Sequence, residues 1–239
     1  MPRAPATMLV NSQTLGTIGF FKDLEPALLE QLAAHSRLKT YDLNEVVFHE
    51  GDALSPCLYW LASGSLRMTK LSESGKETIL RLLWADAVFA APALFGDGLA
   101  PATATAMEPI QVLTIEREAL LQGFRADPEL ALHLLSIFNQ RLQHLHNRVH
   151  GLVSERAIVR LIHYLEYFAA SAGTEAVPQG QQLKARLTYY QIARSIGITY
   201  EECVRLFKQL KAAVAYQRGG KITILDADQL GAIAQRQID

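Results

Sequence analysis

The sequence predicts an α+β chain: an N-terminal antiparallel β-domain, then a long helix, then a smaller C-terminal part that ends in two short helices and a hairpin. Three observations carry this. Between Arg37 and Ile115, short runs rich in Val, Leu, Tyr and Thr alternate with turn sequences at spacings of roughly ten residues, as in a sandwich or barrel. From Asp127-Pro128 to Leu152 the apolar period becomes helical. Between Thr188 and Leu210, two helix-start signatures flank a single glycine.

Composition sets the outer bounds. A chain of 239 residues, 49% hydrophobic and with a net charge of −1, suits one large domain or two small ones and argues against disorder. The most apolar stretch, Ala87 to Phe95, is nine residues long, well short of the ~20 needed to cross a membrane. No basic segment followed by an apolar run opens the chain, so no export signal is expected. Two cysteines, Cys57 and Cys203, are too few for a disulfide framework and point to a reducing cytoplasm. The near-zero charge hides an asymmetry: residues 1–154 carry 12 Lys/Arg against 16 Asp/Glu, and residues 155–239 carry 11 against 8. From Lys184 to Lys221 the balance is 8 against 2, which suits a basic nucleic-acid module and equally a solvated basic face.

Residues 1–15 are Pro/Ala/Thr-rich and read as frayed, and a short amphipathic helix follows from Glu25 to Leu32 with Pro26 at its start. Turn signals at Glu50-Gly51-Asp52, Ser63-Gly64-Ser65, Ser72 to Lys76 and Phe95 to Gly98 punctuate the β-region. In the long helix Leu135, Phe138, Leu142, Leu145, Val149 and Leu152 are spaced 3, 4, 3, 4, 3, an a/d seam. So narrow a stripe favours two helices meeting across a dimer over packing of one helix on its own β-domain. Another helix is expected from Ala157 to Phe168, and a loop from Ser171 to Gln182.

Thr188-Tyr189-Tyr190-Gln191 has the form of a capping box, and Thr199-Tyr200-Glu201-Glu202 repeats it. Ile192, Ala193 and Ile196 would line the inner face of the first helix, and Ile198, Cys203 and Leu206 that of the second. Gly197 stands at the turn, where a left-handed conformation is needed. Two capped helices on a glycine turn form a helix-turn-helix, whose second helix enters the major groove of double-stranded DNA. Its outward face carries Tyr200, Glu201, Arg205 and Lys208. Glu201 and Arg205, four apart, could form a salt bridge or, in the same geometry, accept from cytosine and donate a fork to guanine. Val214 to Ile224 reads as a β-hairpin wing whose turn, with Arg218, could touch phosphate. The segment is a winged helix-turn-helix.

The whole chain resembles the CRP/FNR superfamily of bacterial transcription regulators over roughly residues 20–225. The resemblance rests on Val46 to Asp52, Leu58 to Leu66, Ser74-Gly75-Lys76-Glu77 and the Thr188–Leu210 segment. It implies a jelly-roll sensor of the cyclic-nucleotide-binding kind at 16–125, a dimerisation helix at 126–154 and the DNA-binding domain at 155–239. It further implies a homodimer that reads a two-fold symmetric operator and meets RNA polymerase. Carried over, Glu201 and Arg205 match the family's base readers, and Thr188, Tyr190, Thr199 and Lys208 fall where members contact the backbone. Tyr200 stands where the cyclic-AMP receptor protein has a base-reading arginine.

The sensor departs from the cyclic-nucleotide pattern, which needs a Gly-Glu-Leu turn and an Arg-Ser/Thr-Ala segment. Here the candidate effector pocket is Phe89, Ala90, Ala91, Leu94, Ala102 and Thr103, and no Lys or Arg occurs between Leu82 and Met107. A buried phosphate without a cation is costly, so cyclic AMP and cyclic GMP are not expected as effectors. An apolar, small or absent effector fits better. Two cysteines exclude an FNR-like iron–sulfur cluster. Cys57 and Cys203 read as packing residues, and His144, His146 and His150 as exposed helix residues. No cofactor or metal is expected. A cupin-like metal enzyme would need a His-x-His plus Glu set inside the barrel, and the β-region has only His35 and His49. No enzymatic activity is expected. A helix-turn-helix used only for protein contacts is the other alternative.

Overall fold

The computed structural model describes residues 7 to 236. In chain order the elements are β1 (Thr7–Leu9), α1 (Ser12–Gly16), α2 (Pro26–Ala34), β2 (Ser36–Tyr41), β3 (Val46–Phe48), β4 (Cys57–Ser63), β5 (Ser65–Leu71), β6 (Glu77–Trp84), β7 (Ala87–Phe89), α3 (Ala91–Phe95), β8 (Thr103–Ala106), β9 (Ile110–Glu116), α4 (Arg117–Ala126) and α5 (Pro128–Ser154). Then come α6 (Ala157–Ser171), β10 (Thr174–Val177), β11 (Gly180–Leu183), α7 (Tyr189–Ile196), α8 (Tyr200–Gln209), β12 (Val214–Gln217), β13 (Lys221–Ile224) and α9 (Ala227–Arg236). Contacts divide the chain into two units, one up to Arg141 and one from Leu142 onward, so α5 contributes to both.

The first unit is built on two antiparallel sheets, ordered β1-β2-β9-β4-β7 and β3-β8-β5-β6. Alternation along β4 shows how they share their cores. Leu58 and Trp60 face one way and join Phe20, Phe21, Leu32, Leu120 and Leu130 in a cluster formed with the helices. Leu61 faces the other way and meets Leu66, Met68, Phe89 and Ile110 between the sheets. The antiparallel β-domain expected from the turn spacing is therefore present, and α2 and α5 fall within a few residues of their expected limits. The start of the chain corrects the expectation of fraying where it is described. Asn11 caps α1 by accepting from the Thr14 amide at 2.7 Å, Leu15 is fully buried, and β1 pairs with β2. Residues 1–6 of that stretch lie outside the described residues.

The second unit contains the last part of α5, α6, the helices α7 to α9 and a four-stranded sheet ordered β10-β11-β13-β12. The stretch from Ser171 to Gln182, expected as a loop, instead carries a hairpin with Val177 opposite Gly180. Its second strand continues into the wing sheet by pairing Gln181 with Ile224. Gly180, at φ +144°, makes this possible, because a Cβ there would run into the Ile224 carbonyl. Helix α6 packs through Val159, Leu161, Ile162, Leu165 and Phe168, all buried.

Candidate nucleic-acid interface

Both helix starts are fixed by threonine hydroxyls. Thr188 Oγ1 accepts from the Gln191 amide at 3.3 Å, while the Gln191 side chain accepts from the Thr188 amide at 2.8 Å, a complete capping box. At the second helix Thr199 Oγ1 accepts from the Glu202 amide at 3.1 Å. Glu202 does not return the bond. Its carboxylate turns to Arg205, with Oε1 at 3.4 Å from Nη2. Of the two readings open for Glu201 and Arg205, the mutual salt bridge is not formed: Arg205 pairs at three-residue spacing with Glu202, and Glu201 stays exposed at the first turn. Gly197 joins the helices at φ +73°, ψ +37°, the left-handed cap that the turn requires. A Cβ there would also stand 3.3 Å from Leu152.

Ile192, Ala193, Ile196, Cys203 and Leu206 are buried between the helices, and Ile198 is half-buried. Tyr200, Glu201, Arg205 and Lys208 form the exposed face of α8. Tyr190 is exposed on α7, where the Arg194 guanidinium lies 5.3 Å above its ring. Arg218 is exposed in the turn of the β12–β13 hairpin. That hairpin is tied to the helices by aromatic packing. Tyr189 stacks on Tyr216 with centroids 3.8 Å apart and meets Phe207 edge-on at 5.1 Å. In the sequence the only signal of this cluster is the aromatic character of positions 189, 207 and 216, which lie too far apart to form a local pattern.

Burial pushes the Cys203 thiol up from 9.0 to about 12. Burial, with Tyr216 beside it, pushes the Tyr189 phenol up from 10.0 to about 12. Both groups stay neutral in the fold beyond their ordinary values of 9.0 and 10.0, at which they ionise once unfolded. Raised folded values give stability that is complete below about pH 9 and drains away as pH rises toward 12. The urea midpoint is expected to fall above about pH 9, and Cys203→Ala should blunt the first part of that fall. A midpoint that holds steady well above that pH would contradict this account.

The remaining candidate residues fall in three places. Leu135, Leu142, Leu145, Val149 and Leu152 are exposed along α5, whereas Phe138 is half-buried against the core of the first unit. Phe89, Ala90 and Ala102 are buried between the sheets, Leu94 belongs to the helix-side cluster, and Ala91 and Thr103 are half-buried. These six do not share one cluster. Phe89 is packed against Phe48 and Tyr59, and Thr103 Oγ1 accepts from the Glu50 amide at 3.0 Å. Ala90 holds a left-handed conformation at φ +52°, where glycine is favoured. His144 is not simply exposed as expected: its ring stacks on Tyr167 at 3.7 Å, while His146 and His150 are exposed. Among the described residues no three His, Cys, Asp or Glu are grouped to hold a metal ion, and no helix is long and apolar enough to cross a membrane.

A two-sheet roll followed by a long helix and a winged helix-turn-helix is the layout of a DNA-binding transcription regulator. Residues 38–127 match the cyclic nucleotide-binding domain family, and residues 159–233 match the Crp-like helix-turn-helix domain family. The chain belongs to the CRP/FNR family of transcription regulators. It is 26% identical over 198 residues to the cAMP-activated global transcriptional regulator CRP of Pasteurella multocida, covering 82% of this chain and 93% of that one. The global nitrogen regulator of Synechocystis is 25% identical over 176 residues, 73% of this chain and 77% of the relative. Among solved structures, a CooA mutant from Carboxydothermus hydrogenoformans shares the fold with a TM-score of 0.74 and 19% identity, over 96% of this chain and 98% of that one. The c-di-GMP responsive global regulator CLP of Xanthomonas campestris does so with a TM-score of 0.68 and 21% identity, over 84% and 99%.

Proposed function

We propose that the protein is a homodimer that binds a two-fold symmetric operator in double-stranded DNA without needing a cyclic nucleotide. The observation that carries this reading is the row of exposed apolar residues on α5, Leu135, Leu142, Leu145, Val149 and Leu152, in a chain whose α8 presents an uncovered polar face. Exposed leucines at a/d spacing are costly in a monomer and suit a self-complementary helix pair. Paired α8 helices would then meet two half-sites about 34 Å apart, one turn of DNA. Glu201, Arg205 and Tyr200 read bases; Thr188, Tyr190, Thr199, Lys208 and Arg218 hold phosphates. The Thr199 hydroxyl already accepts from Glu202, which leaves its proton to donate outward.

Residues 16–125 serve as the sensor, 126–154 as the dimerisation helix and 155–239 as the DNA-binding domain, with RNA polymerase as a further partner in the cytoplasm. The effector, if the sensor takes one, is small and apolar. Support comes from Phe89, Ala90, Leu94 and Ala102, which are fully packed in apolar clusters, and from the absence of Lys or Arg between Leu82 and Met107.

The test is selection of bound sequences from a random duplex pool by the purified full chain, with and without cyclic AMP. A palindromic consensus in both arms is expected. A consensus that emerges only with cyclic AMP would overturn the effector reading. A non-palindromic consensus would overturn the dimer, and failure to retain any duplex even at low salt would favour a helix-turn-helix used for protein contacts.

A further inference from the structure

We propose that Arg148 and Arg160 are positioning residues that lock α7 to the end of the seam helix and so fix the half-site spacing the protein accepts. The proposal rests on the reading of the chain as a dimer on a two-fold operator. Both arginines lie in the second unit, together with α7 and α8. Arg148, on α5, donates from Nη2 to the Ser195 carbonyl at 2.9 Å. Arg160, on α6, donates from Nε to the Ile196 carbonyl at 3.1 Å. These carbonyls close α7 and belong to the last turn, which has no helical amide to pair with. A cation is favoured there by the helix dipole as well. Arg160 also donates from Nη1 to the Glu155 carbonyl at 2.6 Å, so one rigid guanidinium spans the α5–α6 junction and the end of α7. Tyr164 adds a third tie by donating to Ser195 Oγ at 3.0 Å, and burial keeps its phenol protonated.

Carbonyls at a helix end could be satisfied by any nearby donor, and a purely structural role would need no more. Two features go further. The donors come from the helices that lead out of the seam, 47 and 36 residues away, not from the adjoining turn. A cavity of about 460 Å³ also lies against Arg148, Arg160, Ser195 and Ile196, walled in part by His144 and Tyr167. Beside the cavity the angle between α7 and the end of the seam is held by these hydrogen bonds together with the packing of Leu152 against the Gly197 turn. Because α7 passes into α8 through only three residues, Gly197, Ile198 and Thr199, the direction of α8 follows.

The experiment uses the palindrome selected by the wild-type chain, with its spacer as selected, with one base pair added or removed, and as an isolated half-site. The wild type should prefer one spacer. In Arg148→Ala the ratio of affinities between the best spacer and its neighbours is expected to fall about tenfold, the weight of one charge-assisted hydrogen bond. Affinity for the isolated half-site, and base preference within it, should be unchanged. Arg148→Lys keeps a cationic donor and should restore most of the discrimination. Arg160→Lys should not, since a flexible ammonium lacks the planar fork whose Nε and Nη1 reach the Ile196 and Glu155 carbonyls separately. Should the alanine variant fail to fold, Arg160→Lys carries the same test. An unchanged spacer ratio in both variants, or an equal loss on the isolated half-site, would overturn the proposal. A wild type indifferent to spacing would overturn it too, by removing the dimer reading beneath it, and that outcome is visible before any variant is compared.

Discussion

Replacing Leu145 and Val149 together with glutamate is expected to make the protein monomeric and to lower its affinity for a full operator by about 100-fold or more. Both side chains are 53% exposed, so the isolated fold should lose little stability. In the proposed dimer the same positions face their copies. The double variant would bring four carboxylates into an apolar seam, where desolvation and mutual repulsion both oppose association. Affinity then falls because the second half-site is no longer presented at the high effective concentration that tethering provides. Sedimentation would read the association state and gel shift the affinity, with thermal unfolding as the control for folding. A variant that remains dimeric would place the interface elsewhere. A wild type already monomeric on DNA would end the argument altogether.

Arg205→Ala is expected to cost about 1–3 kcal/mol of operator binding and to relax preference at one guanine in each half-site. The guanidinium is exposed, and among the described residues it is tied by a 3.4 Å contact to an incompletely buried Glu202. A contact of that kind contributes little to stability, so the side chain is available at small cost to a base. Lys208→Ala, one helical turn along, should instead weaken binding to all sequences more evenly and reduce the salt dependence. Comparing selected consensus sequences for the two variants separates the roles. If both lose affinity with the consensus intact, Arg205 holds phosphate and the base reader lies elsewhere on α8.

What was legible in the sequence was set by local interactions. Thr188, Thr199 and Gly197 could be read because a cap reaches only three residues and a left-handed turn is one residue long. The α5 seam could be read because its period repeats through several turns. The β10–β11 hairpin could not: Thr174–Val177 and Gly180–Leu183 lack clear alternation, and their place in the sheet depends on pairing with residue 224. Helix α4 was hidden between two stronger patterns, at the point where β9 ends. The choice of Glu202 over Glu201 by Arg205 rests on rotamers that spacing alone leaves open. The links from Arg148 and Arg160 to the end of α7 are long-range in sequence and leave no periodic trace.

The two acidic residues of the Lys184–Lys221 stretch are Glu201 and Glu202, and both stand in the first turn of α8. This arrangement bears on how the regulator spends its time in a genome. The eight surrounding cations would draw it to any duplex, but where guanine or thymine stands in place of a base with an amino donor the first turn would offer carboxylates to acceptor atoms. Non-cognate stretches are thus penalised at the reading end and not along the whole surface. On the proposed reading, residence on bulk DNA would shorten, sliding and hopping would resume sooner, and a larger share of the copies would be free to find an operator.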